Sequence, residues 1–221
     1  MQYTLQKLNV LVINMDIKTD RLDKISKKLS DFNIYFERIT GYEPNEEEIK
    51  NNKLINPTKI YKRWIDNGIY IKGVLGCKIS HINAIKRAEE LEGYTLILED
   101  DVFFEDDAME IFEKAWIQLQ QFEWDIFYLG ANIRGNSQLV SDNIIKTTNA
   151  VSFCAYIVNR KSYSNIIEII EKSEIEVDSA VAEASLRNDI KQYVINPMIV
   201  YVEDDFSSNT EQHTYIRWRD R

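Results

Sequence analysis

Hydrophobic positions along this chain fall into two kinds of run. Leu8–Asn14 and Tyr94–Leu98 are short, nearly continuous and rich in β-branched residues, which predicts strands buried on both faces. Between the first of these and Ile34–Thr40, a third strand-like run ended by Gly41, Leu22, Ile25, Leu29 and Phe32 recur at helical spacing with Lys and Asp outside. Strand, helix and strand in that order predict a right-handed crossover in a parallel sheet. Leu75, Ile79, Ile82, Ile85 and Leu91 predict a further helix stopping near Gly93, and Met109, Phe112, Ala115, Trp116 and Leu119 another starting near Asp106. Asp125–Gly130 and Val151–Val158 read as strands, Tyr163–Ile170 and Asp178–Leu186 as helices, and Tyr193–Val202 as one or two strands around Pro197. Residues 42–73 and 131–149 are polar and predict loops, the first long enough to be a functional insertion. With no internal repeat and no Ser/Gly linker, the pattern predicts a single α/β domain whose mostly parallel central sheet is flanked by helices.

Composition narrows the function. A chain of 221 residues with 44% hydrophobic side chains can bury a substantial core. Its formal net charge of −9 repels a phosphate backbone, and no basic patch compensates, so nucleic acid is not an expected partner. Cys77 and Cys154 cannot build a disulfide framework, which favours a reducing compartment. No signal peptide is visible, and no apolar run approaches the ~20 residues of a membrane helix. The expected location is cytoplasmic, with peripheral attachment at the cytoplasmic membrane face left open.

The most informative segment is Glu99-Asp100-Asp101, directly after a buried strand. Open α/β sheets bind ligands beyond the carboxyl ends of their strands. Three carboxylates there repel one another unless a cation sits among them, and an all-oxygen set suits Mg²⁺ or Mn²⁺ carrying a phosphorylated substrate. Strand alternation would put Glu99 and Asp101 on one face and Asp100 on the other. The plainer alternative is acids that cap the next helix or end the strand in solvent. A phosphoacceptor receiver domain would need an Asp at the end of another strand, and Asp125–Gly130 carries its acid at the start. A nucleotide-sugar transferase needs an acid-x-acid motif holding a divalent ion on a diphosphate, which fits.

Further segments join this one. Val12-Ile13-Asn14-Met15-Asp16 with Thr19-Asp20-Arg21, Phe36–Gly41, Gly73-Val74-Leu75-Gly76-Cys77-Lys78-Ile79-Ser80-His81 and Leu96–Val102 stand in that order, followed by Trp124–Gly130, Ala155–Lys161 and Val177-Asp178. Together they resemble glycosyltransferase family 25, which includes lipooligosaccharide and procollagen galactosyltransferases. The Gly-Cys-x-x-Ser-His and Glu-Asp-Asp segments are the specific part, and the resemblance covers most of residues 8–209.

The resemblance implies a GT-A-like, Rossmann-type fold, with residues 8–130 as the nucleotide-sugar-binding half, 131–209 as the acceptor-side half and 210–221 as a tail. It implies inverting transfer of a hexose, commonly galactose, from a UDP-hexose donor to a hydroxyl of a glycan or glycolipid such as lipooligosaccharide. A hydroxylysine-type protein acceptor and a non-catalytic sugar-nucleotide-binding relative are the alternatives. Glu99 and Asp101 would hold Mn²⁺ or Mg²⁺, and Asp100 would bond the ribose or nearby backbone. Asn14, Asp16 and Arg21 would cradle the uridine and its phosphates, unless Asp16 merely caps a helix and Arg21 is a surface charge. Thr40 and Gly41 would close the nucleotide pocket, and Ser80 and His81 would contact the donor sugar or phosphate. Asp178 is the candidate base, with an ordinary helix N-cap as its equal alternative; Glu183, Asp204 and Asp205 stand behind it. Cys77 reads as a small packing residue, His213 as a metal ligand reaching back from the tail or an exposed histidine, and Tyr61, Arg63 and Trp64 as an acceptor-facing lid or ordinary packing.

Overall fold

The computed structural model describes residues 4–60 and 68–202; Tyr61, Arg63, Trp64, Asp204, Asp205 and His213 lie outside the described residues. Strands β1 (Asn9–Asn14), β2 (Glu37–Thr40), β3 (Thr95–Glu99), β5 (Ile126–Ile133), β6 (Ser137–Ser141), β7 (Ile144–Thr147), β8 (Ala150–Val158) and β9 (Gln192–Ile195) form an eight-stranded sheet, ordered β2-β1-β3-β8-β5-β9-β7-β6. β4 (Val102–Phe104) and β10 (Val200–Val202) form a separate antiparallel pair. The helices are α1 (Thr19–Asp31), α2 (Glu46–Asn51), α3 (Gly68–Glu90), α4 (Ala108–Leu119), α5 (Tyr163–Lys172) and α6 (Val177–Leu186). As expected, most strands share one direction: β1, β2, β3, β5, β6 and β9 run one way, and β7 and β8 run the other.

The apolar runs are continuous because both faces of the sheet are covered. Val10 and Val12 of β1, Leu96 and Leu98 of β3 and Phe127 and Leu129 of β5 pack with Ile25 and Leu29 of α1 and Phe112, Trp116 and Leu119 of α4. The alternate residues, Leu11, Ile13, Ile97, Ile126 and Tyr128, pack with Ile82 and Ile85 of α3, Ile166 and Ile170 of α5 and Val181 of α6. A one-residue slip of any central strand would exchange these two sets, so both cores fix the register. β8 lies antiparallel between β3 and β5, and its pairing with β5 shifts register on either side of Gly130. A Cβ at Gly130 would sit 2.1 Å from the Val200 carbonyl oxygen, so only glycine lets the β10 backbone cross β5 here.

The polar stretches hold more structure than their composition predicts. Residues 131–149 contain the end of β5 and all of β6 and β7, a hairpin at the sheet's edge whose β6 is mostly exposed. Its polar face is what an edge strand shows to water, so the apolar pattern is weak there. Residues 42–73 contain α2, opened by a capping box between Asn45 and Glu48, and the first turns of α3. No helix among the described residues is long and apolar enough to cross a membrane.

A lysine is among the polar residues buried in the scaffold. Lys78 of α3 is fully buried, and its Nζ donates to Leu54 O (2.9 Å), Ser173 O (2.9 Å), Ser173 Oγ (2.7 Å) and Ile175 O (2.9 Å). Every one of these partners is an acceptor, so the cation ties the segment after α2 to the α5–α6 connection. Burial lowers the ammonium's pKa to about 8, against the smaller upward pull of Glu176 and Glu174. Between about pH 8 and the ordinary lysine value near 10.4 the unfolded chain binds more protons than the folded one, so this group's contribution to stability rises with pH across that window. Lys78→Met, which leaves the carbonyls unpaired, is expected to cost about 3 kcal/mol at pH 7 in urea unfolding. The gain in stability between pH 8 and 10 should be present in the wild type and absent from the variant.

Candidate active site

The carboxyl ends of β1, β2 and β3 converge on one polar network. Asn14, the last residue of β1, is 2% exposed, and its Nδ2 donates to Asp100 Oδ2 (2.7 Å) and to Lys18 O (2.9 Å). Arg21, on the first turns of α1, donates Nη1–H to Asp100 Oδ1 (3.0 Å) and approaches Asp101 Oδ2 at 3.4 Å. Arg38 of β2, paired in register with Val12, donates to Asn14 Oδ1 (2.9 Å), to Asn14 O (3.1 Å) and to Asp16. The Gly41 N–H donates to Asn14 O (2.8 Å), while Thr40 ends β2 exposed. Asn14, Asp16, Arg21, Gly41, Asp100 and Asp101 are thereby brought together.

The acidic triplet departs from strand alternation, because β3 ends at Glu99 and Asp100 and Asp101 form a turn. Asp100 and Asp101 therefore both meet Arg21, where alternation predicts opposite faces. Asp100 is buried, and desolvation raises its pKa against the opposing hydrogen bond from Asn14 and charge of Arg21. Asp101 is pushed up to about 7, first by burial, then by the Glu99 charge, with Arg21 opposing. Its Oδ1 is buried with no hydrogen-bond partner among the described residues. A buried carboxylate oxygen beside two other acids is electrostatically costly unless a proton, a donor or a cation compensates it.

His81, 1% exposed on α3, places Nε2 3.3 Å from Glu99 Oε1 and Nδ1 3.0 Å from the Tyr156 hydroxyl on β8. Ser80, its neighbour, is used inside the scaffold: its Oγ donates to Gly76 O (2.7 Å) and accepts from the Tyr42 N–H (2.8 Å). Asp178 is the second residue of α6, after the N-cap Glu176 and the first residue Val177, so it serves the helix's first turn from inside rather than from the N-cap. Its Oδ2 accepts from the Ser152 N–H (2.9 Å) and its Oδ1 from the Ser179 N–H (2.7 Å). Ser152 has φ 85, a left-handed conformation rare outside glycine, and it falls in the irregular stretch of β8. Glu99, Asp178 and Asp101, in that order, add to burial in raising the Cys77 thiol pKa, so all three charges bear on one point. Glu183 is exposed on α6.

Three contributors carried no sequence assignment. Arg38 sits in a short strand where its register with Val12 could not be read, Tyr156 hides in an apolar run as a core residue, and Ser152 acts through its backbone, which no residue type announces.

Comparison with known proteins bears on this arrangement. The family model described as "Glycosyltransferase family 25 (LPS biosynthesis protein)" matches residues 7–181. A protein of Acanthamoeba polyphaga mimivirus named as a glycosyltransferase, R655, is 28% identical over 149 residues; the match covers 65% of this chain and 41% of that protein. Among solved structures, a UDP-glucose pyrophosphorylase complexed with UDP-glucose is 10% identical with TM-score 0.46, covering 85% of this chain and 89% of that one. The inositol-1-phosphate CTP transferase from T. maritima is 13% identical with TM-score 0.46, covering 87% and 86%. The family match takes in the Asn14–Arg21 segment, the Gly76–His81 helix, the acidic turn and Asp178, and the chain belongs to glycosyltransferase family 25.

Proposed function

We propose that this protein is a metal-dependent inverting hexosyltransferase that moves a hexose, galactose first among them, from a UDP-sugar to a hydroxyl of a glycan such as lipooligosaccharide. The observation that carries this reading is the buried Oδ1 of Asp101, without a hydrogen-bond partner among the described residues, beside Glu99 at the mouth of the parallel strands. These oxygens suit a hard divalent ion, Mn²⁺ or Mg²⁺, which Glu99 and Asp101 would hold. When bound, that ion supplies Lewis-acid stabilisation of the charge on the departing diphosphate.

The chain's own residues set the geometry. Asn14 and Arg21 fix Asp100, which keeps the acidic turn in place without a ligand. Arg21 and Arg38 add positive charge to an acid-rich rim where a diphosphate must approach. In the reaction the acceptor oxygen bonds to the anomeric carbon, the bond from that carbon to the UDP oxygen breaks, and the acceptor proton goes to a carboxylate. Asp178 is the proposed base: two backbone N–H groups hold its oxygens in one orientation, so little is lost in positioning it.

The reading is tested by following UDP release from UDP-galactose with Mn²⁺ and a glycan acceptor. Asp178→Asn should lower kcat by about 10²–10⁴ with KM little changed. Binding of UDP and Mn²⁺ with no turnover on any acceptor would favour a silent relative instead. Asp101→Asn should abolish the Mn²⁺-dependent rise in melting temperature with UDP. Because Asp101 must lose its proton to bind a cation, wild-type Mn²⁺ affinity should rise with pH up to about 7 and level off above it. Turnover by Asp101→Asn at wild-type rates would remove the metal site from the mechanism.

A further inference from the structure

The motif Gly-Cys-x-x-Ser-His puts Cys77 and His81 four residues apart, one turn of α3, on the side that meets the end of β3. There the Cys77 thiol, a His81 ring nitrogen and a Glu99 carboxylate oxygen all lie within 4.8 Å of one another. Ligand atoms sharing a tetrahedral Zn²⁺ at ordinary bond lengths are about 3.3–3.8 Å apart, so small side-chain adjustments would bring all three onto one ion. The ligand types differ from those of the acidic turn: sulfur and imidazole nitrogen with one carboxylate suit Zn²⁺ and other thiophilic ions, whereas Mg²⁺ prefers oxygen alone.

We propose that Cys77, His81 and Glu99 form a second cation site, selective for thiophilic divalent ions of the Zn²⁺ class, which shares Glu99 with the donor-metal site and so allows such an ion to block donor binding. The blocking half rests on the transferase reading above; the site itself does not.

The surroundings of His81 support the assignment. Its ring is buried, packed edge-on to Phe153, and its Nδ1 is engaged by the Tyr156 hydroxyl. A hydroxyl can donate or accept. It can give its proton to Nδ1 while Nε2–H faces Glu99, or accept Nδ1–H while the Nε2 lone pair faces an ion. Tyr156 therefore satisfies the ring in both states and fixes its orientation, as hydrogen-bonded partners of ligand histidines do. The carboxylates of Glu99, Asp178 and Asp101 all act on the Cys77 position, and the negative field that disfavours a bare thiolate favours a divalent cation beside it. Cys77 is half-buried as a residue, whereas Cys154 is buried in the sheet.

The test uses the full chain stripped of metal and titrated with Co²⁺. Thiolate ligation should give a near-ultraviolet charge-transfer band that Zn²⁺ removes and Mg²⁺ does not. Cys77→Ser should lose the band and bind Co²⁺ roughly tenfold more weakly or worse. A spectrum without the band, or a band that survives Cys77→Ser, would overturn the site. A second measurement needs no variant: Zn²⁺ should slow alkylation of Cys77 by iodoacetamide, read by peptide mass spectrometry, and Mg²⁺ at the same concentration should not. Unchanged alkylation would overturn the site equally. For the blocking half, Zn²⁺ should raise the Mn²⁺ concentration needed for UDP binding in the wild type but not in Cys77→Ser, and absence of that competition would overturn it. If neither protein binds UDP with Mn²⁺ while the cobalt band is present, the transferase reading falls and the thiophilic site stands.

Discussion

A carboxylate removed from water must be held by donors, and the arrangement at the mouth of the sheet depends on how Asp100 meets that requirement. It accepts from the Asn14 amide on one oxygen and the Arg21 guanidinium on the other, which ties the end of β3 to the end of β1 and the start of α1. Arg38 grips Asn14 in turn, so β2 joins the same network. Breaking a buried pair of this kind typically costs about 3–5 kcal/mol, because the partner left behind is still desolvated. The acidic turn is thus part of the scaffold through Asp100, while Asp101 and Glu99 on either side keep oxygens available for a ligand.

A second set of constraints reaches the site from the other half of the chain. β10 crosses β5 at Gly130 and pairs with β4, which starts at Val102, immediately after the acidic turn. The irregular part of β8 opposite Gly130 carries Ser152 in its left-handed conformation, and that backbone turns an N–H onto Asp178. Such a conformation costs a non-glycine residue on the order of 1–3 kcal/mol and persists where the surroundings hold it. Here the hydrogen bond to Asp178 is part of what holds it. One sheet irregularity therefore helps set both a carboxylate from the second half and the strand that leads out of the first half's acidic turn.

Much of this was legible in the residues. Strands buried on both faces announce themselves as unbroken apolar runs, so β1, β3, β5 and β8 and the helices covering them could be read, and the acidic turn stood out as charge directly after such a run. The hairpin of β6 and β7 could not be read, because an edge strand facing water carries no apolar stripe. Side-chain roles were harder. Strand alternation misplaced Asp100 and Asp101 because the strand stops at Glu99 and the two aspartates form a turn. Lys78, between a cysteine and an isoleucine in a helix, gives no sign that its ammonium is caged by oxygens supplied by residues up to 97 positions away. Cys77 reads as packing when taken alone, and its proximity to Glu99 depends on how α3 crosses the end of β3.

The surplus of carboxylates over cations in this site has a physical consequence. Glu99, Asp100, Asp101 and Asp178 are gathered about few positive groups, and Asp101, pushed up to about 7 first by burial and then by the Glu99 charge, is where that surplus adds to the cost of desolvation. A divalent ion would relieve it better than a proton, so folding and cation binding favour each other by linkage. His81 faces Glu99 with a ring nitrogen, so any ion proposed at Glu99 would compete with that hydrogen bond. On the proposed reading, a divalent ion and the Asp101 proton would compete for the same carboxylate, and that competition would weaken as pH rises above about 7.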